Sequence, residues 1–306
     1  MQAEITAPAK INLDLRVLGR RNDGFHEIRT LLQTIDLTDE IQGTVAPPDV
    51  LELHVEPDGV VSAASDNLVM RAAELLRSHT GITAGARLKL AKNIPIGAGL
   101  GGGSSDAAAT LVLLDKLWGL HLEESVLCEI AAEIGSDVPF FLTGGLALAT
   151  GRGENIQPLP DLVDCSVVVC MPPIEVKTAD VYSRLATGTR LTSRGSKANV
   201  DAFVAGIGRS GRVVPPWPDL GNDLEPVVVE NWPEVGRVVT ALEAMGPLYA
   251  AITGSGAAGI AVFSDPEAAG DGPRDGDESW DVHVGTTLGR AHGRLAVKLS
   301  GCEEDS

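Results

Sequence analysis

Hydrophobic and polar residues alternate with a period of two in some stretches of the chain and follow a helical period in others. Residues 3–18 alternate and then become apolar, and residues 25–37 follow after a turn at 20–24 that contains Asn, Asp and Gly. The two stretches therefore predict strands joined by a hairpin turn. Residues 67–79 and 123–134 place their apolar side chains on one helical face and predict amphipathic helices.

The second half of the chain repeats this mixture. Short apolar stretches and helical periods predict further elements: strands at 147–150, 167–171, 249–253, 259–263 and 282–285, and helices at 177–185 and 235–245. Pro158 and Pro160 mark the start of this second region. We predict an α+β protein of two domains, residues 1–156 and 157–306, with a cleft between them.

A glycine-rich run between a predicted strand (86–96) and a predicted helix (105–118) carries the strongest chemical signal. Five glycines fall within the seven positions 97–103, and Ser104 and Ser105 follow. Glycine lets successive backbone N–H groups turn to one side, and a helix N-terminus adds unpaired donors and a positive dipole end. The run therefore predicts an anion site, with a nucleotide phosphate as the anion.

Other glycine loops fit the run less well. A Walker loop needs a lysine before its Ser or Thr, and Gly103 holds that place. A dinucleotide fingerprint matches Gly97, Gly99 and Gly102, but Trp118 lies where that motif needs an acidic residue. A plain turn with a capping serine needs only one or two glycines. What remains is a loop whose serine hydroxyls cap the helix, contact a phosphate oxygen or bind Mg²⁺.

Charge and composition narrow the class of protein. The formal net charge of −18 disfavours nucleic acid and anionic membranes as partners. No apolar run reaches the length of a membrane span, and residues 1–5 lack the features of a signal peptide, so a cytoplasmic enzyme is expected. Four cysteines without a CxxC pair predict neither a disulfide frame nor a zinc site, and no metal site is assigned from the scattered histidines.

Three segments resemble the three motifs of the GHMP small-molecule kinases, named for galactose, homoserine, mevalonate and phosphomevalonate. They are Pro8–Leu13, Pro95–Ala108 and Thr253–Gly256. Two further segments, Asp23–Glu27 and Gly135–Phe140, resemble the members whose acceptor alcohol carries a cytidine diphosphate. The likeness is dense over residues 7–154 and thinner beyond.

The resemblance implies a two-domain kinase fold, with an N-terminal domain like ribosomal protein S5 domain 2 and a ferredoxin-like C-terminal domain. The active site is expected in the cleft, with ATP and Mg²⁺ as cofactors. The residues expected at ATP are Asn67, Lys92, Pro95, Gly97, Gly99, Leu100, Gly101, Gly102, Gly103, Ser104 and Ser105. Asp106, where many relatives have Asn, is expected to point away from the triphosphate, because a carboxylate would repel it.

Lys10 and Asp137 are the expected catalytic pair. A lysine in an apolar strand start and an acid between Ser136 and an apolar segment have little structural use unless they are paired. The resemblance makes Asp137 the group that orients or deprotonates the acceptor hydroxyl, with Lys10 as its partner. A purely structural ion pair, or a lysine that guards a strand edge, is the alternative.

The remaining expected residues lie on the acceptor side. Asn12 shares a strand face with Lys10 and could contact the acceptor hydroxyls. Phe25 follows a turn and could stack on a pyrimidine, although the family usually has Tyr there, and His26 could reach the polar edge of the base. The resemblance adds Tyr182 as the opposite wall of this cytosine clamp and Thr178 as a hydrogen-bond donor. Core packing is the alternative for either aromatic alone.

Other functions stay open at this point. A different GHMP kinase, of the mevalonate or homoserine type, would keep the fold and the Lys10–Asp137 pair but not the cytosine clamp. A Rossmann oxidoreductase would bind NAD instead of ATP, and a nucleotide-binding module would not need the catalytic pair. The oligomeric state, monomer or homodimer, is not decided.

Overall fold

The computed structural model describes residues 2–59, 61–63, 66–188, 197–207, 217, 219–264, 268–273 and 277–300. Within them lie eleven strands: β1 (Gln2–Arg20), β2 (His26–Ala46), β3 (Leu51–Glu56), β4 (Gly85–Ala91), β5 (Leu146–Gly151), β6 (Asn155–Pro158), β7 (Ser166–Met171), β8 (Tyr249–Ile252), β9 (Gly259–Phe263), β10 (Asp281–Thr286) and β11 (Lys298–Ser300). The same residues contain nine helices: α1 (Leu68–Thr80), α2 (Gly102–Leu117), α3 (Glu124–Ile134), α4 (Val138–Thr143), α5 (Thr178–Gly188), α6 (Lys197–Gly206), α7 (Glu225–Asn231), α8 (Pro233–Glu243) and α9 (Arg290–Gly293).

The described strands form two sheets. The first has the order β11-β1-β2-β4-β3, and β5 pairs with β2 and β6; β3 and β4 are parallel and the other pairs antiparallel. The second sheet is antiparallel with the order β10-β7-β9-β8. The α+β class is therefore confirmed. Helices α1, α2 and α4 pack on the first sheet, and α3 packs against these helices. Leu76, Leu111 and Phe140 in this core are fully buried.

The predicted hairpin is present and longer than expected. Strand β2 continues to Ala46, well beyond the predicted end at residue 37. Its added length pairs with β4, from Glu40↔Ala91 to Ala46↔Gly85, so the second half of the strand is stabilised by a partner distant in sequence.

Helix α1 follows its sequence signals. The Asn67 side chain accepts a hydrogen bond from the Val69 N–H at 2.9 Å, and the chain leaves the helix through Gly81 at φ 69°. These are the N-cap and left-handed C-cap that Asn and Gly favour. The predicted helix at 67–79 is confirmed to within a residue.

The assignment of domains to residues 1–156 and 157–306 stays a prediction. Two strands cross its limits, one at the boundary between the domains and one near the end of the described chain. Strand β6 crosses residue 157, and β11 returns from the end of the described chain to pair with β1. Strands β6 and β11 and the helix α7 are elements that the sequence pattern did not reveal. Short strands of three or four residues carry too little alternation to be recognised.

Two further observations concern the described residues. None of their helices is both long and apolar enough to span a membrane. Cys128, Cys165 and Cys170 form no disulfide bond within the described residues, and Cys302 lies outside them.

Candidate active site

A cavity of about 1320 Å³ lies where the two sheets approach each other. Its walls come from β1, the glycine loop, the turn between β1 and β2, the start of α5 and the turn after β8. Elements from both halves of the chain therefore contribute to one site.

The glycine loop needs its glycines for two separate reasons. Gly97, Gly99 and Gly101 have φ values of 69°, 79° and 71°, in the left-handed region. In addition, a Cβ at Gly99 would overlap the backbone oxygen of Thr253, and a Cβ at Gly101 would stand 3.0 Å from the Lys10 side chain. The loop thus packs against the second half of the chain on one side and the Lys10 side chain on the other.

Helix α2 starts three residues earlier than expected. It begins at Gly102 with Gly101 as its N-cap, and no side chain caps it. Capping of the helix, one of the three roles left open for Ser104 and Ser105, is therefore not observed, because the N-cap residue is a glycine without a side chain. Ser104 lines the cavity in the first turn, so the start of the helix itself faces the space expected to hold phosphate.

Most residues expected at ATP line the cavity, and one does not. The lining residues are Asn67, Lys92, Pro95, Gly97, Gly99, Leu100, Gly101, Gly102, Gly103 and Ser104. Ser105 is fully buried, and its hydroxyl donates to the Pro8 carbonyl at 2.7 Å. The expectation that Ser105 contacts ATP is corrected, because its side chain points into the β1 side of the helix and ties the loop to that strand.

The predicted Lys10–Asp137 pair is present. The Lys10 Nζ lies 3.7 Å from Asp137 Oδ2, and the carboxylate side chain keeps 37% of its surface exposed. Burial lowers the pKa of Lys10 below the usual lysine value, and the charge and hydrogen bond of Asp137 oppose that change. Asp137 directly precedes α4. The pair combines a buried cation with a carboxylate that faces the cavity.

Asn12 holds the lysine in place. Its Oδ1 accepts from Lys10 Nζ at 2.7 Å, and its Nδ2 donates to Thr30 Oγ1 at 2.8 Å. Its backbone N–H donates to Thr253 Oγ1 at 3.0 Å, which joins β1 to the turn after β8. Asn12 is thus a positioning residue for Lys10, and its predicted contact with the acceptor stays a prediction.

Lys92 and Asp106 form part of a buried trio of charges. Lys92 Nζ binds Asp39 Oδ2 and lies 2.9 Å from Asp106 Oδ2. Burial, together with the neighbouring Asp39, raises the pKa of Asp106 to about 8, although Lys92 acts against this. Asp106 lines the cavity, and its buried Oδ1 has no hydrogen-bond partner. The expectation that Asp106 points away is therefore wrong: Lys92 offsets its charge, and the carboxyl group forms part of the cavity wall.

The aromatic residues lie at the other end of the cavity. The rings of His26 and Tyr182 are 4.8 Å apart, centre to centre, at 31°. Burial, with the nearby Arg20 charge, lowers the pKa of His26, so the neutral ring is favoured. Phe25 is 53% exposed and lies under the Arg152 guanidinium at 5.1 Å. All three rings line the cavity, but the ring that contacts Tyr182 belongs to His26.

On the side of the cavity formed by the second half of the chain, the contacts are between neutral polar groups. The Thr178 and Ser255 hydroxyls are 2.7 Å apart, and both residues line the cavity. Asn222 Nδ2 donates to the Gly254 carbonyl at 2.7 Å and fixes the turn that carries Ser255. Thr178 therefore lies in the cavity wall, and its assignment to the acceptor site stays a prediction.

Four contributors to the site were missed from sequence. Asp39, Asn222, Arg20 and Arg152 either line the cavity or hold residues that do. Arg152 had one usable signal, since it is a charged residue between two glycines that follow a strand. Asp39 and Asn222 had none, because their partners are more than 25 residues away along the chain.

Comparison with known proteins agrees with this geometry. The family model described as the GHMP kinases N terminal domain matches residues 67–145, and the model described as GHMP kinases C terminal matches residues 209–274. A solved homoserine kinase from Cytophaga hutchinsonii has the same fold, with a TM-score of 0.73 at 24% identity over 97% of each chain. The chain belongs to the GHMP kinase family, as the resemblance of its three motifs predicted.

Within this family the chain is similar to a narrower group. The 4-diphosphocytidyl-2-C-methyl-D-erythritol kinase of Pelotomaculum thermopropionicum is 42% identical over 263 residues, which are 86% of this chain and 90% of the relative. A crystal structure of 4-(cytidine 5′-diphospho)-2C-methyl-D-erythritol kinase has a TM-score of 0.73 at 35% identity, with 94% of this chain and 99% of that chain covered.

Proposed function

We propose that this GHMP kinase transfers the γ-phosphoryl group of ATP to the 2-hydroxyl of 4-(cytidine 5′-diphospho)-2-C-methyl-D-erythritol. The products are the 2-phosphate and ADP, in the non-mevalonate route to isoprenoid precursors. The observation that carries the proposal is the Lys10–Asp137 pair. It lies in one cavity with the glycine loop and with the aromatic hairpin, the β1–β2 turn that carries Phe25 and His26. The choice of acceptor is supported by the names of the similar kinases.

ATP binds at the glycine loop in this proposal. The N-terminus of α2 carries no side-chain cap, so its backbone N–H groups are available to the triphosphate oxygens. Asn67 and Lys92 border the same part of the cavity. The overall charge of the chain is negative, and these local donors supply the attraction that the whole molecule does not.

Mg²⁺ accompanies ATP in this chemistry, and one observation tests whether the site fits it. The described residues contain no cluster of three or more His, Cys, Asp or Glu placed to hold a metal. Mg²⁺ bound to a nucleotide uses only one or two carboxylates beside phosphates and waters. Asp106 Oδ1, buried in the cavity wall without a partner, meets that need, with the Ser104 hydroxyl in the same helical turn. These two residues would hold the ion, which would offset the phosphate charge.

The transfer step assigns one role to each member of the pair. The acceptor oxygen forms its bond to the γ-phosphorus as the bond from phosphorus to the ADP oxygen breaks. Asp137, whose carboxylate is open to the cavity, orients the hydroxyl and takes its proton. Lys10 lies beside it and stabilises negative charge on the transferring group, while Asn12 fixes the lysine in position.

The acceptor lies between the pair and the hairpin. Its cytosine stacks at Phe25, His26 and Tyr182, which line the end of the cavity farther along β1 and β2. Thr178 donates a hydrogen bond to the acceptor from the opposite wall. A cytoplasmic location and the choice between monomer and homodimer remain predictions.

The test is an ADP-release assay with Mg²⁺-ATP and three alcohols offered separately. They are the cytidine diphosphate methylerythritol, mevalonate and homoserine. We expect turnover with the cytidyl substrate and none above background with the others. Turnover of mevalonate or homoserine alone would refute the choice of acceptor while keeping the kinase reaction, and no ADP release with any of them would refute the reaction itself.

A further inference from the structure

Arg152 lies between the two ends of the acceptor site. Its guanidinium carbon is 5.1 Å from the centre of the Phe25 ring. The next residue, Gly153, approaches Asp137 so closely that a Cβ there would stand 3.3 Å from Asp137 Oδ1. Arg152 therefore occupies the interval between the aromatic hairpin and the carboxylate, and it lines the cavity there.

The Arg152 guanidinium has N–H donors that are available to an anion. Its one ion pair within the described residues is to Glu154, with Nε 3.7 Å from Oε1, beyond hydrogen-bond distance. Neither Nη atom makes a hydrogen bond to a described residue. The side chain is 30% exposed, so it is open to the cavity and also partly shielded from solvent.

The two lysines that line the cavity already have partners within the protein. Lys10 is bound by Asn12 and Asp137, and Lys92 by Asp39 and Asp106. Arg20 also lines the cavity, next to His26 on the paired strand, and makes no ion pair with a described residue. The acidic groups that the structure places near the Arg152 guanidinium are Glu154 and Asp23. Arg152 and Arg20 are thus the cations of this wall that remain available to a ligand.

We infer that Arg152, assisted by Arg20, binds the diphosphate group of the acceptor. This inference rests on the proposed function, because the connectivity of that acceptor supplies the argument. The diphosphate joins the cytidine to the methylerythritol, so a ligand with its base at the hairpin and its hydroxyl at Asp137 carries its diphosphate through the interval that Arg152 occupies. A planar guanidinium can give two parallel hydrogen bonds to such a group.

The experiment compares R152Q and R152K with the wild-type enzyme and with R21Q as the matched control. Arg21 is on the same hairpin, but it pairs with Asp23 and Glu27 and is outside the cavity lining. Isothermal titration calorimetry measures the affinity for cytidine and for cytidine 5′-diphosphate, and steady-state kinetics gives KM and kcat for the acceptor.

R152Q is expected to weaken the binding of cytidine 5′-diphosphate and to raise the acceptor KM about tenfold or more, because hydrogen bonds to a charged group are stronger than neutral ones. The affinity for cytidine, the KM for ATP and kcat should stay within about twofold in the same variant. R152K should recover part of the lost diphosphate affinity, since lysine keeps the positive charge but cannot give the two parallel hydrogen bonds of a guanidinium. R20Q should show a smaller loss of the same kind, and R21Q none.

Two results would overturn the inference. An equal loss of cytidine and cytidine 5′-diphosphate affinity would show that Arg152 only supports Phe25. A lower kcat with an unchanged acceptor KM would place the guanidinium at the transferring phosphoryl group instead. Failure of the proposed function is distinguishable from both, because the wild-type enzyme itself would then not phosphorylate the cytidyl alcohol.

Discussion

Two ion-pair sites on the same strand differ in what surrounds them. Lys10 and Arg16 both belong to β1 and are nearly fully buried. Lys10 pairs at 3.7 Å with Asp137, whose side chain is 37% exposed, whereas Arg16 pairs at 2.7 Å with Asp14 and 3.1 Å with Asp223, which are both buried. The first pair is open to the cavity, and the second is closed on every side.

The closed site joins the two halves of the chain. Asp223 also accepts a hydrogen bond from the Val17 N–H at 3.0 Å, and Asp14 accepts one from the Gly221 N–H at 3.1 Å. Burial raises the pKa of Asp14, while Arg16 opposes this, so the carboxylate depends on its partners to stay ionised. Similar residue types therefore serve chemistry where one partner is left accessible, and structure where none is.

The largest expected effect is at the open pair. D137A should reduce kcat by about 10³-fold, because it removes the group that orients the hydroxyl and takes its proton. ATP affinity, measured by calorimetry, should be unchanged. The free energy of unfolding should change by less than about 1 kcal/mol, since the carboxylate is partly exposed and Lys10 keeps its hydrogen bond to Asn12. Residual activity above about a tenth of wild type would contradict the assigned role.

The closed pair should respond in stability rather than in chemistry. D223A should lower the free energy of unfolding by about 1–3 kcal/mol, because it leaves the buried Val17 N–H and one guanidinium N–H without their acceptor while Asp14 still pairs with Arg16. Urea denaturation measures this change, and D137A is the control in the same assay. Equal destabilisation by the two variants would remove the distinction between the sites.

The smallest effect is expected where the open site is held by neutral groups. T178V removes the hydroxyl that bonds Ser255 and should lower kcat/KM for the acceptor about fivefold, equivalent to about 1 kcal/mol. T80V is a matched control, since the Thr80 hydroxyl binds the Leu76 carbonyl outside the cavity lining. A loss as large as that in D137A would show that Thr178 acts in the chemical step.

Local sequence patterns predicted most of the fold, and some positions show why they failed elsewhere. Asn67 and Gly81 bound α1 as expected, because capping depends on a few neighbouring residues. The start of α2 was placed three residues late, because the glycines that disfavour a helix in isolation are held in it by packing. The pairing of β11 with β1 joins residues nearly 300 positions apart, a distance that no local pattern covers.

Residue types at short spacing were enough to predict the α+β class and the glycine loop, and the resemblance to the GHMP kinases identified Lys10 and Asp137 as a pair. Only the folded chain shows which polar groups remain available to a ligand. In the folded chain Ser105 is buried and donates to the Pro8 carbonyl, Asp106 pairs with Lys92, and the Arg152 guanidinium lies over the Phe25 ring at the cavity. The physical reason is that the availability of a side chain depends on burial and on partners brought together from distant positions, and these exist only after the two sheets have packed.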